Sequence, residues 1–302
     1  MDGCMKNILV VGSLNMDYVT NVDTMPKAGE TIFAENFIMN PGGKGANQAY
    51  AIAKLGGKVA MIGAVGQDPS GTALIENLKG VGVDVDGIER VDAPTGAATI
   101  IVENDGQNRI MVNKGANSYV DRCMIDRHKD LLQWSDIVVM QLEIPLDTVE
   151  YVAEKAHRLG KIVIVDPAPA PKVQIDDILK NADYIKPNSI EAMELANCFD
   201  SIENAVECLL SKGVGQAIVT LGEKGAQLYK KGCLAKAFAS VPTNVIDTTA
   251  AGDCFTGAFA VAIAMGKDVE EAIGFATKAS AVSVSRPGAQ MSMRRFVSSA
   301  TS

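Results

Sequence analysis

Short β-branched runs alternate with helix-period apolar patterns along most of this chain. Lys6–Val11, Val59–Ile62, Ile137–Met140, Ile162–Val165, Tyr184–Lys186 and Ala217–Thr220 read as strands. Gly45–Leu55, Gly71–Lys79, Asp147–Leu159 and Ile202–Ser211 read as the helices between them. Gly257–Met265 and Val269–Ser285 read as two closing helices, the first with too few polar residues for a surface helix. The rhythm predicts an α/β fold, doubly wound, with a mainly parallel central sheet and helices on both faces.

Two segments break the rhythm. Residues 17–40 carry YVTNV and TIFAENFIM around the turn signal MPKAGE, and residues 95–113 carry GAATIIVE, the turn NDGQN and RIMVN. Each reads as a β-hairpin. Four strands without a covering helix predict a small separate sheet, and Ile32, Phe33, Ile100, Ile101, Ile110 and Met111 give it apolar surface to bury. Such a sheet would close over the main sheet edge as a lid or pack against a second copy of itself. The expected organisation is one α/β domain over residues 1–302 with this inserted β lid.

Composition narrows the possible partners. The 302 residues are 47% hydrophobic and 21% charged, enough to bury a substantial core. A net charge of −8 without a Lys/Arg cluster argues against nucleic acid. It does not argue against a phosphorylated ligand, which backbone amides can hold. The six cysteines form no Cys-x-x-Cys pair, and His128 and His157 lack metal-ligand partners at helical spacing, against a zinc site or a disulfide framework. No basic segment and signal-like core opens the chain, and the apolar run at Gly257–Met265 is too short to span a bilayer. The expectation is a soluble protein of a reducing, cytoplasmic compartment with no membrane partner.

Open α/β sheets bind ligands at the carboxyl ends of their strands. There, GSLNMD places Asn15 and Asp17 after the first strand, and on local grounds a simple Asx turn would suffice. PGGKGANQA at 41–49 is glycine-rich and opens a helix, with Lys44 and Asn47 three residues apart and so on one side. It is not a phosphate-binding P-loop, because Ile38 stands at the first glycine position and Gly45 follows the lysine. A polar, hydroxylated ligand fits it better. The sequence has neither G-x-G-x-x-G after the first strand nor a G-x-S-x-G elbow, against dinucleotide binding and serine hydrolysis. QLEIP puts Glu143 at a strand end, PNSIEA places Asn188 and Glu191 at capping-box spacing, and LGEKG follows Thr220.

DTTAAGD at 247–253 follows strand-like NVI and precedes the apolar helix. Small residues let a helix N-terminus approach a ligand, and the amides of Ala251, Gly252 and Asp253 would receive negative charge. Asp253 could accept a proton from a substrate hydroxyl. An acid complementing the helix dipole explains one of the two aspartates, but two acids bracketing the loop less well.

GGKGANQA together with DTTAAGD resembles the two signatures of the ribokinase family, the phosphofructokinase-B-type carbohydrate and nucleoside kinases. The resemblance runs from VVGSLNMD to SRPGAQ and includes QLEIP, DPAPA and PN in the same order. It implies a ribokinase-like fold and ATP-dependent phosphoryl transfer to the 5-hydroxyl of D-ribose. It implies Asp253 as general base, with Ala251 and Gly252 completing the anion hole. It implies Asn15, Asp17, Gly43, Lys44, Asn47 and Glu143 on the sugar. For ATP it implies Asn188, Thr220, Gly222, Gly225 and Thr277, with Glu191 tied to Mg2+ and phosphate. Asp247, Thr249, Ser283, Arg286, Gly288 and Ser292 match a loop pair that holds K+ mainly through backbone oxygens. The hairpins match a lid that also forms a homodimer contact.

Two positions depart from the family pattern: Cys254 beside the base, read as a packed thiol, and Thr277, where a more polar residue is usual. A kinase of another furanose, such as 2-deoxyribose or a nucleoside, is the competing enzyme reading. Asn15 with Asp17 suggests recognition of adjacent hydroxyls and favours ribose. A non-catalytic sugar-binding descendant is disfavoured, since Asp253 and Gly252 are both present. A phosphatase with an aspartate nucleophile would need a D-x-D after the first strand, which is absent.

Overall fold

The computed structural model describes residues 5–104 and 107–293. Its strands are β1 (Asn7–Val11), β2 (Asn15–Val22), β3 (Asn36–Gly42), β4 (Lys58–Gly66), β5 (Asp84–Val91), β6 (Gly96–Glu103) and β7 (Asn108–Asn113). These continue with β8 (Ile137–Gln141), β9 (Ile162–Asp166), β10 (Tyr184–Ile185), β11 (Gln216–Thr220), β12 (Ala226–Lys230) and β13 (Lys236–Phe238). The helices are α1 (Lys44–Lys54), α2 (Pro69–Gly80), α3 (Arg122–Arg127), α4 (Lys129–Trp134) and α5 (Leu146–Arg158). After them come α6 (Asp176–Leu179), α7 (Ser189–Ala196), α8 (Ile202–Ser211), α9 (Ala251–Ala264) and α10 (Val269–Val284).

The main sheet has the order β13-β12-β11-β10-β9-β8-β1-β4-β5. It is parallel from β5 to β11 and antiparallel at β12 and β13. β1 shows why helices cover both faces: Ile8 and Val10 join one apolar cluster, Leu9 and Val11 the other, and all four are fully buried. α1, α9 and α10 pack in the first cluster, α5 and α8 in the second. From β1 the chain moves outward to β4 and β5 and returns on the other side through β8. The order therefore reverses between β1 and β8, where such sheets open a crevice.

The second sheet, β3-β2-β6-β7, is the separate one expected from the two hairpins. β2 pairs antiparallel with β3 and parallel with β6, and β6 pairs antiparallel with β7. Ile32 and Phe33 lie outside it, because the strand begins only at Asn36; Phe33 is fully exposed in the preceding loop. Asp105 and Gly106 of the NDGQN turn lie outside the described residues.

Asn15 and Asp17 stand at the start of β2 in the second sheet instead of closing a turn. The run NVI at 244–246 is not a strand. Val245 and Ile246 are exposed, and the Ile246 N–H donates to the Val284 carbonyl at the end of α10, so no sheet edge is within its reach. β5, α3, α4, α6, β12 and β13 are elements that the strand–helix rhythm does not predict. Among the described residues no helix is long and apolar enough to cross a membrane.

Candidate active site

The crevice between β1 and β8 is bridged by one carboxylate. Glu143, just after β8, accepts from the Ser13 hydroxyl after β1 and from the Lys44 N–H at 3.1 Å, which ties the start of α1 to both strand ends. Gly43 makes this turn possible: its φ of 86° suits glycine, and a Cβ would lie 2.6 Å from the Asn15 amide nitrogen. Asn15 and Asp17 alternate on β2 and so present their side chains on one face. A side chain at Gly42 would collide with Asp17 at 2.2 Å, so the glycine opens the space in which that carboxylate lies.

Asn117, in a short 3-10 turn at Gly115–Tyr119, holds this corner. Its Oδ1 accepts from the Leu14 N–H at 2.9 Å, while its Nδ2 donates to the Leu14 carbonyl at 3.1 Å and to Asn15 Oδ1 at 2.8 Å. Asn15 thereby has its carbonyl occupied and its NH2 left to face a ligand.

Asp253 lies in the first turn of α9, buried against α1. Its Oδ2 accepts from Asn47 Nδ2 at 2.9 Å and its Oδ1 from Gln48 Nε2 at 3.1 Å. Beside it, Asp166 at the end of β9 pairs with Lys186 at 3.0 Å and accepts from Gln48 and Thr256. Lys186 Nζ also reaches the Gly252 carbonyl at 3.5 Å. The first intrahelical bond runs from the Cys254 N–H to the Ala250 carbonyl, so the amides of Gly252 and Asp253 have no acceptor within the helix. The Ala251 amide is different: it donates to the Thr248 carbonyl at 3.2 Å, so in this conformation two amides, not three, face outward.

Burial and crowding of like charge raise the acids here. Burial pushes the Asp17 carboxyl up to about 7, helped by Glu143 and Asp253. Burial also raises Asp253 and Asp166 adds to it, against the pull of Lys44 and the Asn47 and Gln48 hydrogen bonds. Lys44 moves the other way: burial opposes its charge, but Asp253, Asp166, Glu143 and Glu191 together hold its ammonium well above its ordinary value. Two buried cations, Lys44 and Lys186, therefore stand among these carboxylates, Lys186 paired directly with Asp166. Cys254 is a buried thiol pushed up to about 12 by burial, unreactive as a nucleophile.

Asn188 and Glu191 close a reciprocal capping box on α7, each side chain taking the other's backbone N–H at 2.8 Å. Asn188 bridges to Thr220, whose N–H donates to the Pro187 carbonyl at 3.0 Å. Gly222 and Gly225 then turn the chain with positive φ, and a side chain at Gly225 would strike the Phe238 carbonyl. Thr277 lies buried in α10 and spends its hydroxyl on the Ile273 carbonyl. Asn188, Thr220 and the glycine turn thus come together, with Thr277 turned inward.

Asp247 joins the two remaining loops: its carboxylate accepts from the Thr249 and Gly288 amides, each at 2.8 Å. Partial burial works to raise this carboxyl, but those bonds outweigh it and hold it below its ordinary value. Ser283 and Ser292 bond each other at 2.9 Å beside this junction. The pair offers carbonyl, hydroxyl and carboxylate oxygens, the donor chemistry that suits K+. Arg286 fits only through its backbone, since its Nη1 is buried without a hydrogen-bond partner. Among the described residues no three His, Cys, Asp or Glu side chains cluster to hold a metal ion. A magnesium ion carried on nucleotide phosphates needs only one or two carboxylates. Glu191 fits that role with Oε1, because the capping bond uses Oε2.

Residues 5–295 match the model of the pfkB family carbohydrate kinases. The chain belongs to that family. Among curated relatives, the ribokinase of Schizosaccharomyces pombe is 40% identical, covering 96% of this chain and 95% of the relative. The deoxyribokinase of Salmonella typhi is 37% identical, with 95% of each covered. Among solved structures, Arabidopsis thaliana ribokinase complexed with ribose and ATP superimposes with a TM-score of 0.91 at 36% identity, covering 97% of this chain and 96% of that one. The fold is the ribokinase fold, and the protein is a ribokinase-family sugar kinase.

For this pfkB-family kinase, sequence reading missed Gln48, Asn117, Gln141, Asp166, Lys186, Thr256 and Gln290. Three of them had a usable signal. IVVMQ and IVIVD are apolar strands that each end on one polar residue, Gln141 and Asp166, and Lys186 directly follows β10 at the same edge of the sheet. Asn117 and Gln290 stand in short 3-10 turns whose partners are far away in sequence, where no local period exists.

Proposed function

We propose that this chain transfers the γ-phosphoryl group of ATP to the 5-hydroxyl of D-ribose, giving D-ribose 5-phosphate. The observation that carries the reading is Asp253. It is a buried carboxylate beside Lys44, on a helix turn whose Gly252 and Asp253 amides lack helical acceptors. As the sugar oxygen bonds to the γ-phosphorus, its proton passes to Asp253 and the bond from phosphorus to the bridging oxygen of ADP breaks. The two amides and Lys44 stabilise the charge on the transferring group. ADP leaves with the bond electrons, and Asp253 returns the proton to solvent.

On the sugar, Asn15 donates and Asp17 accepts, with the Gly43 backbone, Lys44, Asn47 and Glu143 around the remaining hydroxyls. On the nucleotide, Asn188, Thr220, Gly222, Gly225 and the start of α9, at Ala251 and Gly252, would line the path, with Thr277 behind them contributing packing only, since its hydroxyl is spent on Ile273. Glu191 would hold Mg2+, which neutralises phosphate charge when bound. Asp247, Thr249, Ser283, Arg286, Gly288 and Ser292 would hold K+, which stiffens the loop before α9. Every residue of β7 is exposed although alternate side chains point to opposite faces, so this chain covers neither face there. That surface, with Phe37 and Met39 of β3, is the contact we assign to a homodimer.

The relative that acts as a deoxyribokinase makes 2-deoxyribose the second reading. ADP formation with ATP and a panel of D-ribose, 2-deoxy-D-ribose and nucleosides separates the two. The highest kcat/KM is expected for D-ribose, because a site built to pair a hydroxyl penalises the analogue that lacks it. A preference for 2-deoxyribose would overturn the choice of sugar.

A further inference from the structure

The base is gripped by two amides that are neighbours in sequence, and each of those is gripped in turn by a glutamine from a distant segment. On one side Gln290 Nε2 donates to Asn47 Oδ1 at 3.0 Å, and Asn47 Nδ2 donates to Asp253 Oδ2. Behind it, Asn77 Nδ2 of α2 donates to Gln290 Oε1. On the other side Gln141 Nε2 donates to Gln48 Oε1 at 2.6 Å, and Gln48 Nε2 donates to Asp253 Oδ1. Asn47, Gln48, Gln141 and Gln290 are all buried, where a lost partner is costly to replace.

The polarity of both chains is set at the carboxylate, which when ionised only accepts. Asn47 and Gln48 must therefore turn their NH2 groups towards it, which turns their carbonyls away. Each carbonyl then needs a donor, and the glutamines supply one. An amide without such a partner can rotate to place its oxygen against the carboxylate, where two acceptors repel. The grip also uses only one lone pair of each carboxylate oxygen and leaves a second free for a substrate proton.

We propose that Gln290 and Gln141 are positioning residues for phosphoryl transfer, locking the amides of Asn47 and Gln48 with their N–H groups on Asp253. Neither glutamine has a hydrogen bond to Asp253, and each acts through its amide. Gln290 also stands two residues beyond Gly288, whose N–H holds Asp247, so the segment that anchors the cation loop also orients the base. The inference rests on Asp253 being the general base.

The test is kcat, KM for D-ribose and the pH profile of Gln290→Met and Gln141→Met, beside Asp253→Asn, with folding checked by thermal melting. Methionine keeps the volume and removes the donor. Loss of the lock disfavours the ionised carboxylate, so the acid limb of the profile moves to higher pH. kcat is expected to fall at least about tenfold while KM changes less than about threefold. A purely structural role would lower the melting temperature and leave the acid limb of the folded enzyme in place. Folded methionine variants with wild-type kcat and acid limb would overturn the proposal while an inactive Asp253→Asn kept the base assignment. An active Asp253→Asn would remove the base assignment itself. Should Gln290→Met not fold, Gln141→Met reads the opposite arm by the same measurements.

Discussion

Gly257 of α9 lies against Ala51 of α1 so closely that a Cβ on the glycine would stand 2.7 Å from the alanine Cβ and 3.0 Å from the Gln48 carbonyl. Gly257 is four residues after Asp253, and Ala51 four after Asn47, so each pair stacks on one helix face. The close crossing is what brings the Asn47 and Gln48 amides within hydrogen-bond reach of the base. Replacing Gly257 by alanine should force the helices apart and cost about 1–3 kcal/mol of stability. Chemical denaturation measures it, and kcat should fall further than the lost folded fraction accounts for.

Asp17 makes the ligand-free protein sensitive to pH. Its carboxyl lies at about 7 when folded and near its ordinary value of 3.8 when unfolded. The folded state then holds the proton more tightly, so this group's contribution is fully present below pH 3.8 and is lost as pH rises through about 7. Asp17→Asn should flatten the fall in melting temperature between pH 5 and 8. The same variant should bind D-ribose poorly at pH 8, where the wild-type carboxylate is ionised and accepts. Melting curves with and without sugar across that range check both halves.

Much of this arrangement is legible in the sequence, for a physical reason. Lys44, Asn47 and Asp253 stand in stretches of glycine and alanine at helix starts, where a polar side chain has little cause to be unless a ligand or a partner calls for it. The alternation of strand and helix survives because the central strands β1, β4, β8 and β9 are buried on both faces and must be apolar. The second sheet is readable as hairpins, but their pairing is not: the parallel pairing of β2 with β6 joins segments about 80 residues apart and leaves no local mark. Gln290 and Asn117 stayed hidden for the same reason.

Lys44 is held charged by Asp253, Asp166, Glu143 and Glu191 together. Lys44→Gln leaves those acids without it, so Asp253 should hold its proton to higher pH. The acid limb of kcat/KM should move up, and KM for the sugar should rise about tenfold or more from loss of a charged hydrogen bond. A pH–rate profile in which the limb stays where it is would contradict the electrostatic role.

Asn117 makes three hydrogen bonds to Leu14 and Asn15 from a buried position. Asn117→Ala frees the Asn15 carbonyl and the Leu14 backbone, at a cost of about 1–3 kcal/mol for each buried group left unpaired. Sugar binding should weaken while ATP binding stays near wild type, since Asn117 bonds to Leu14 and Asn15 and has no bond to Asn188 or Thr220. Calorimetric titration of each ligand separately distinguishes this from general unfolding.

Asp253 is expected to take the proton from the 5-hydroxyl of D-ribose as the γ-phosphoryl group is transferred. The most direct measurement follows product by phosphorus NMR in wild type and Asp253→Asn supplied with ATP and D-ribose, with sugar affinity measured alongside. Wild type should form D-ribose 5-phosphate, while Asp253→Asn should bind the sugar but turn over about 100-fold or more slower. Formation of the 5-phosphate by Asp253→Asn at the wild-type rate, or no sugar phosphate from the wild type, would contradict it.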